Sequence, residues 1–240
     1  IDIEQTNQDS YLGYICLIQL STVHKDYIID VLALRDILVP YLQKILLNKD
    51  IIKIFYAGGS DLLWLNRDFG IFVVNYFDIY TASIFLDSKR DNSLVGLLGE
   101  FCKYKMDKAT KKKFQVSDWR IRPLTREMLN YSVLDSHYLI YLRNVLLGKI
   151  IAKYPHEKVV TFLEQMQENS LKIFQIKEFS ISSFVDFFDN ETNNYKKMLR
   201  KKIESEEHKS SKLSFFLEKR KFLTLCKLRD QIAREIDNNP

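Results

Sequence analysis

The 240-residue chain has few of the residues that mark flexible or cross-linked proteins, with only seven Gly, four Pro and three Cys. So little Gly and Pro argues against low-complexity linkers. The cysteines at 16, 102 and 226 lie far apart and form no Cys-x-x-Cys pair, which predicts neither a zinc site nor a disulfide framework. No run is long and apolar enough to span a bilayer and no signal peptide is visible, so we expect no membrane partner.

Charge is unevenly distributed along the chain, although the net charge is only +5. The segment 103–122 carries eight Lys or Arg against two Asp, and the segment 196–229 carries twelve Lys or Arg against four Glu. The remainder is therefore acidic. Basic segments beside an acidic remainder suggest a polyanion-binding surface next to carboxylate chemistry, although solvated Lys-rich helices give the same pattern.

The apolar pattern predicts three consecutive strands, then alternating helices and strands, then helices alone. The predicted strands are 1–4, 15–20, 27–29, 53–56 and 73–77. The predicted helices are 34–47, 60–68, 79–86 with Asp78 as its N-cap, 93–102, 125–151, 157–176, 182–188 and 211–236, while 195–207 is helix or linker. This order predicts an α/β fold, with a mixed five-stranded sheet flanked by helices and an all-helical C-terminal extension.

Two carboxylates, Asp2 and Glu4, lie at the start of the first predicted strand with one apolar residue between them. Side chains alternate between faces of a strand, so both acids point the same way. Like charges about 4 Å apart repel by roughly 4 kcal/mol at an effective dielectric near 20, so a proton or a divalent cation is needed to relieve them. The alternative is a frayed terminus with two solvated acids.

Two further predicted elements contribute acids and a phenol. Asp61 follows a Gly-Gly-Ser turn where a strand passes into a helix, with Ser60 as the predicted N-cap. Tyr131 and Asp135 are four residues apart in a helix and therefore share one face. Each of these residues taken singly also fits a structural role, as a charge at a helix start, a packing aromatic or a surface acid.

Three segments of the chain resemble the motifs of the DEDD 3′–5′ exonucleases in their tyrosine form, as found in the exoribonucleases of the nuclear exosome and in the related RNase D group. These segments are 1–4 with 12–22, 60–70, and Asp-Trp-Arg-Ile-Arg-Pro-Leu at 118–124 with 131–139. The resemblance covers roughly residues 1–150 and implies a ribonuclease-H-like fold.

The resemblance also implies a set of site residues. Asp2, Glu4, Asp61 and Asp135 are expected to hold two divalent metal ions, Mg²⁺ or Mn²⁺, and Tyr131 is expected to aim the attacking water. The reaction would be stepwise hydrolysis of RNA from a free 3′ end, releasing nucleoside 5′-monophosphates.

Trp64 and Lys112 match family positions near the terminal nucleotides, and Gln5, although it departs from the family pattern, is also expected to contact the RNA end. Stacking on Trp64 would be sequence-tolerant, and Lys112 could contact a phosphate. A core tryptophan and a solvated lysine run are the alternatives.

The resemblance divides the chain into an exonuclease domain at 1–152 and a helical region at 153–240. The segment 229–237 is similar to the end of the first helix of the helicase-and-RNase-D C-terminal domain, with Leu228 in place of the usual Trp. Because the chain starts inside a predicted strand and ends inside a partial domain, we expect further residues on both sides.

Family analogy extends the expectation to partners and location: single-stranded RNA 3′ ends, the exosome core and its cofactors, and the nucleus, with the nucleolus as an option. An RNase D-like enzyme that trims tRNA 3′ ends and a DNA exonuclease of the same superfamily remain alternatives, because the acids do not distinguish ribose from deoxyribose. A catalytically dead RNA-binding scaffold is a third, against which the retention of all four acids and Tyr131 argues.

Gln5 stands where the family usually has His directly after the motif glutamate. An amide can donate a hydrogen bond to a sugar or phosphate but cannot become cationic. We expect Gln5→His to change the KM for RNA or the rate, because the imidazole adds charge at the RNA end. Steady-state kinetics on a short RNA would measure this, and unchanged affinity and turnover would contradict it.

Overall fold

The computed structural model describes residues 1–8, 10–105, 113–176, 224–225 and 227–236. Inter-residue contacts divide the chain into two compact units, Ile1–Phe174 and Gln175–Pro240. In the second unit, residues 224–225 and 227–236 are helical, in agreement with the end of the helix predicted at 211–236. The helix predicted at 182–188, the segment 195–207 and residues 211–223 lie outside the described residues.

The first sheet is a three-stranded antiparallel meander of β1 (Asp2–Thr6), β2 (Tyr14–Ser21) and β3 (Asp26–Asp30), in that spatial order. Ile3 pairs with Ile18, and both are buried in the main core. A bulge interrupts the register between Glu4 and Gln5 and leaves Cys16 as the extra residue on β2. Bulges bend a strand and re-aim its side chains, and this one lies beside the predicted acidic pair.

The second sheet pairs β4 (Lys53–Phe55) with β5 (Tyr76–Asp78) in parallel, so the prediction of one continuous five-stranded sheet is not met by the hydrogen-bonded ladders. Ile1, directly before β1, donates a hydrogen bond from its nitrogen to the Ile54 carbonyl of β4 at 2.7 Å. This bond does not make a ladder, because paired strands need a repeating series of bonds, and the described strands form two separate sheets.

Among the described residues of the first unit, the helices with described bounds that surround these strands are α1 (Val31–Leu46), α2 (Gly59–Phe69), α3 (Ile79–Leu86), α4 (Leu94–Phe101), α5 (Arg126–His137), α6 (Leu139–Lys153) and α7 (His156–Asn169). The single helix predicted over 125–151 is wrong, because it breaks at Tyr138. The break has a packing cause: α5 lies against β2 and β3, whereas α6 packs against α3. In the parts of the chain that the structure describes, no helix has the length and apolar character to cross a bilayer.

A side chain of helix α7 forms hydrogen bonds with backbone groups at the edge of β5. The Gln167 amide accepts from the Tyr76 backbone nitrogen at 2.8 Å and donates to the Tyr76 carbonyl at 2.6 Å, and so takes the place of a neighbouring strand. The Met166 sulfur accepts from the Asp78 nitrogen. Helix α7 therefore belongs to the first compact unit, although it follows residue 152; the division into domains at that residue stays a prediction.

The turn between β4 and α2 places an alanine in the left-handed region. Ala57 has φ of 53°, where a side chain is strained. The next residue, Gly58, has no room for a side chain, because a Cβ there would lie 2.6 Å from the Cβ of Phe55. The order Ala-Gly at this turn therefore places the methyl group at the strained position, since only glycine fits at the crowded one.

We expect Ala57→Gly to raise the free energy of unfolding by about 0.5–1 kcal/mol, because relief of the left-handed strain exceeds the added chain entropy of glycine. Urea denaturation would measure the change. The matched control is Ala152→Gly near the exposed end of α6, which should lose about 1 kcal/mol because glycine is a poor helix former. If both variants lost stability equally, the assignment of strain to Ala57 would be wrong.

Candidate active site

The β1 strand presents Asp2 and Glu4 on one face, as the alternation predicts, while Ile3 between them enters the core. Asp135 from α5 joins this pair. Each of the three residues offers a carboxylate oxygen, and these oxygens all lie within 4.8 Å of one another. Two elements far apart in sequence thus bring three negative groups together.

Helix α5 is held on the sheet by a small second core that includes a residue of the predicted active site. Tyr131 is 5% exposed and stacks on Phe114 with ring centroids 5.0 Å apart. Trp119, which is 1% exposed, also stacks on Tyr131, with ring centroids 6.2 Å apart. Leu17 of β2 belongs to the same cluster, so β2 and α5 are joined by one apolar cluster.

Polar contacts fix the far end of α5 to the same sheet. The hydroxyls of Ser136 and Ser21 are 2.7 Å apart, and His137 Nδ1 lies 2.9 Å from the Asp26 carboxylate. Because Ser136 and His137 directly follow Asp135 on the same helix, these contacts help to fix the position at which its carboxylate meets β1.

The Asp-Trp-Arg-Ile-Arg segment before α5 is an anchor. Arg122 makes a bidentate pair with Asp30, with Nε–Oδ2 at 2.5 Å and Nη2–Oδ1 at 2.7 Å, and Asp30 also caps α1. Arg120 pairs with Asp118 and donates to the Gln8 side chain after β1. With Trp119 buried, this string ties three elements together, and none of its residues belongs to the carboxylate cluster.

Asp61 lies in the first turn of α2 and is buried, at 6% exposure. The predicted capping by Ser60 is wrong, because α2 begins at Gly59 with Gly58 as its N-cap and no side-chain cap. The carboxylate of Asp78, at the end of β5, accepts from the Gly58 nitrogen at 2.9 Å. Since Asp78 also caps α3 through Thr81, as the sequence predicts, one buried carboxylate holds the start of both helices.

A second carboxylate, Asp68, joins the end of α2 to the start of β2. Its Oδ2 accepts from the Ile15 nitrogen at 2.7 Å beside the bulge, and its Oδ1 accepts from Arg67 Nε at 2.6 Å. Arg67 in turn donates to the Leu12 carbonyl at 2.6 Å. Asp68 and Asp78 are positioning residues that the sequence analysis did not single out for the site; their position at element ends was the available signal.

The electrostatics of the site reflect crowding of like charges. Burial raises the pKa of Asp61 well above its usual range, and the negative charge of Asp2 raises it further. Burial, followed by the charge of Asp135 and a hydrogen bond to it, raises the pKa of the Tyr131 phenol far above its usual value. The phenol is therefore protonated at neutral pH and acts as a hydrogen-bond donor rather than as a base.

The donor set fits a hard divalent cation. The three clustered carboxylates supply only oxygen, the ligand that Mg²⁺ and Mn²⁺ prefer. A cation would also offset the negative charge of Asp2, which adds to burial in raising the pKa of Asp61. Asp61 is not one of the three clustered acids, and its link to them is its interaction with the charge of Asp2.

The predicted RNA contacts are less defined. Gln5 is half-buried, and a Cβ at Gly13 would meet its Oε1 at 2.7 Å, so the Gln5 amide lies against the β1–β2 turn. Trp64 is half-buried, packs against the main core and lies one turn beyond Asp61. Lys112 falls outside the described residues. These roles in RNA binding stay predictions.

The acids lie on the first strand, on the helix after the fourth strand and on a later helix beside a tyrosine, as the resemblance to the DEDD exonucleases implies. Residues 1–151 match the family model described as 3′-5′ exonuclease. The chain belongs to this 3′-5′ exonuclease family, and its mixed α/β architecture is the ribonuclease-H-like exonuclease fold.

Within the family the chain is similar to exosome nucleases. It is 40% identical over 151 residues to the exosome complex exonuclease RRP6 of Saccharomyces cerevisiae, covering 63% of this chain and 20% of the yeast protein. The crystal structure of the catalytic core of RRP6 from Trypanosoma brucei matches with a TM-score of 0.74 and 28% identity, over 98% of this chain and 58% of that one. The chain thus spans about a fifth of the length of the yeast relative.

A bacterial structure shares the fold. Brucella melitensis NrnC with bound Mg²⁺ matches with a TM-score of 0.60 and 23% identity, over 70% of this chain and 81% of that one.

The Arg122–Asp30 pair predicts a pH-dependent contribution to stability. The Arg122 hydrogen bonds hold the pKa of Asp30 below its usual range. The pair therefore stabilises fully above the ordinary carboxyl pKa of about 3.9 and loses this contribution as the pH falls through the lower folded value. We expect Arg122→Met to cost about 1–2 kcal/mol near pH 7 and less near pH 3, measured by urea denaturation. Arg126→Met, on the exposed start of α5, is the control; an equal loss at both pH values would contradict the prediction.

Proposed function

We propose that this chain is a metal-dependent 3′–5′ exoribonuclease that removes nucleotides one at a time from a free RNA 3′ end. The observation that carries the proposal is the approach of Asp2, Glu4 and Asp135 oxygens to within 4.8 Å of one another, with Asp61 coupled to Asp2. The likeness to exosome exonucleases supports RNA as the substrate.

Asp2, Glu4, Asp61 and Asp135 are the residues that would hold two divalent cations, Mg²⁺ or Mn²⁺. Two such ions supply stabilisation of negative charge on the attacking and leaving oxygens of the scissile phosphate. Asp2 is the central ligand in this proposal, because it belongs to the three-acid cluster and also interacts with Asp61.

Tyr131 would orient the attacking water. Its phenol stays protonated at neutral pH and hydrogen-bonds to Asp135, so its oxygen lies beside the carboxylate cluster. Contacts with the rings of Phe114 and Trp119 hold the Tyr131 ring, which reduces the entropy lost when the water is positioned. Water attack on the last phosphodiester bond leaves the hydroxyl on the shortened RNA and the phosphate on the released nucleoside 5′-monophosphate.

The biological setting follows from the same likeness. We propose that the chain acts in nuclear RNA processing and decay, with the exosome core and its cofactors as partners, because its relative is named as an exosome exonuclease. Gln5, Trp64 and Lys112 are proposed to contact the RNA end.

The test is the shortening of a 5′-labelled single-stranded RNA with a free or a blocked 3′ end, in Mg²⁺ or in chelator. Stepwise shortening is expected only with metal and a free end. A matched DNA strand and a tRNA precursor run alongside separate the proposed enzyme from a DNA exonuclease and from a tRNA-trimming enzyme. Absence of shortening under all conditions would leave an inactive RNA-binding module as the better reading.

Asp61→Asn is expected to lower the rate about a hundredfold or more, because a metal ligand is lost. Its folded stability should be equal or higher, since the neutral amide removes a buried charge whose raised pKa disfavours folding at neutral pH. Asp50→Asn, at a side chain that is 77% exposed, is the matched control and should leave the rate unchanged. Full activity in Asp61→Asn would contradict the proposal.

A further inference from the structure

Gln19 on β2 is fully buried, at 0% exposure, yet neither its amide nitrogen nor its amide oxygen has a hydrogen-bond partner in the part of the chain that the structure describes. It is the only polar residue between Cys16 and Leu20. Burying an amide without partners costs free energy that an apolar side chain of the same size would avoid. An amide kept at this point of a core strand therefore indicates a use for its polar atoms.

The strand register places this amide at the catalytic face. Gln19 is the direct partner of Asp2 across the antiparallel β1–β2 pair, two residues beyond the bulge, so the two side chains point the same way. Ser21, the next residue of β2 on that face, touches Ser136 of α5, which directly follows Asp135. Gln19 thus lies next to Asp2 on the sheet, in the strand against which the helix that carries Asp135 packs.

The chemistry of an amide suits this place. Carboxylates that ligate a metal are themselves hydrogen-bonded, and these outer partners fix their orientation. The NH₂ group of glutamine offers two donors and carries no charge, so it can hold a carboxylate without competing with a cation, as a lysine would.

We propose that Gln19 is a positioning residue whose side-chain NH₂, which makes no hydrogen bond in the described part of the chain, donates to the carboxylate of Asp2 when divalent cations occupy the site and orients it for them. This inference rests on the proposed function, because it assigns Gln19 a role toward the metal set of that function. Asp2 is the ligand for which orientation matters most, since it interacts with both Asp61 and the three-acid cluster.

The experiment measures Mn²⁺ binding to the full chain by electron paramagnetic resonance, and thermal stability without metal, for the wild type and four variants. Gln19→Met keeps the length of the side chain and removes the amide. We expect it to weaken Mn²⁺ binding about tenfold while leaving the midpoint of unfolding equal or higher. Gln19→Asn keeps a donor at shorter reach and should fall between Met and the wild type. Gln43→Met, at an exposed position of α1, should bind as the wild type does.

Asp135→Asn separates the two levels of the proposal. If wild type and Asp135→Asn bind Mn²⁺ equally, the proposed metal site itself fails. If Asp135→Asn loses binding but Gln19→Met binds as the wild type does, only the role of Gln19 is overturned. Equal losses in Gln19→Met and Gln19→Asn, with a lowered unfolding midpoint in both, would also overturn it, because they would show a structural role.

A kinetic readout completes the test. With RNA as substrate, the Mg²⁺ concentration for half-maximal rate should rise about tenfold in Gln19→Met, and the rate at saturating Mg²⁺ should change less. A fall in the saturating rate with unchanged Mg²⁺ dependence would contradict the positioning role.

Discussion

The antiparallel pairing of β1 with β2 is the constraint on which the rest of the site depends. Because side chains alternate along a strand, this pairing places Asp2 and Glu4 on one face and turns Ile3 into the core. The repulsion between the two acids is tolerable only if the surrounding structure holds them together. The bulge beside Glu4 and the buried neighbour Gln19 are features of the same pair of strands. The strand pairing therefore sets both the charge and the shape of the face that carries Asp2 and Glu4.

Helix α5 completes the face that carries Asp2 and Glu4, and the contacts that hold it there take no part in the proposed reaction. Trp119 fills the second core, and Arg122 joins the segment before α5 to Asp30. These contacts hold Tyr131 and Asp135 against β1 and β2. At α2, Asp78 likewise holds the turn before Asp61, because its carboxylate accepts a hydrogen bond from the Gly58 nitrogen. Residues without a part in the proposed chemistry thus supply the precision that the chemistry requires.

Local pattern alone predicted a good part of this. The alternation that aligns Asp2 with Glu4 and the four-residue spacing of Tyr131 and Asp135 are properties of single elements, and the structure has both elements. The capping of α3 by Asp78 was predictable because an aspartate bonds to its own backbone neighbours. The prediction for Ser60 failed, since the backbone of Gly58 is held by the distant Asp78 instead. The single helix over 125–151 failed because apolar periodicity does not register that α5 and α6 pack on different partners.

The sequence by itself determined the class of chemistry, because it contains the acids, the tyrosine and the Asp-Trp-Arg segment at the local spacing that this chemistry needs. It also determined the family, which the match over residues 1–151 shows. Only the tertiary structure decided that Asp135 meets Asp2 and Glu4 and that Asp61 is buried and interacts with the charge of Asp2. It also decided that Gln19 lies on the same face, with an amide that has no partner among the residues the structure describes. The physical reason is that these relations join strands and helices up to about 130 residues apart. Charge coupling and hydrogen bonding depend on distance in space, which no local pattern contains.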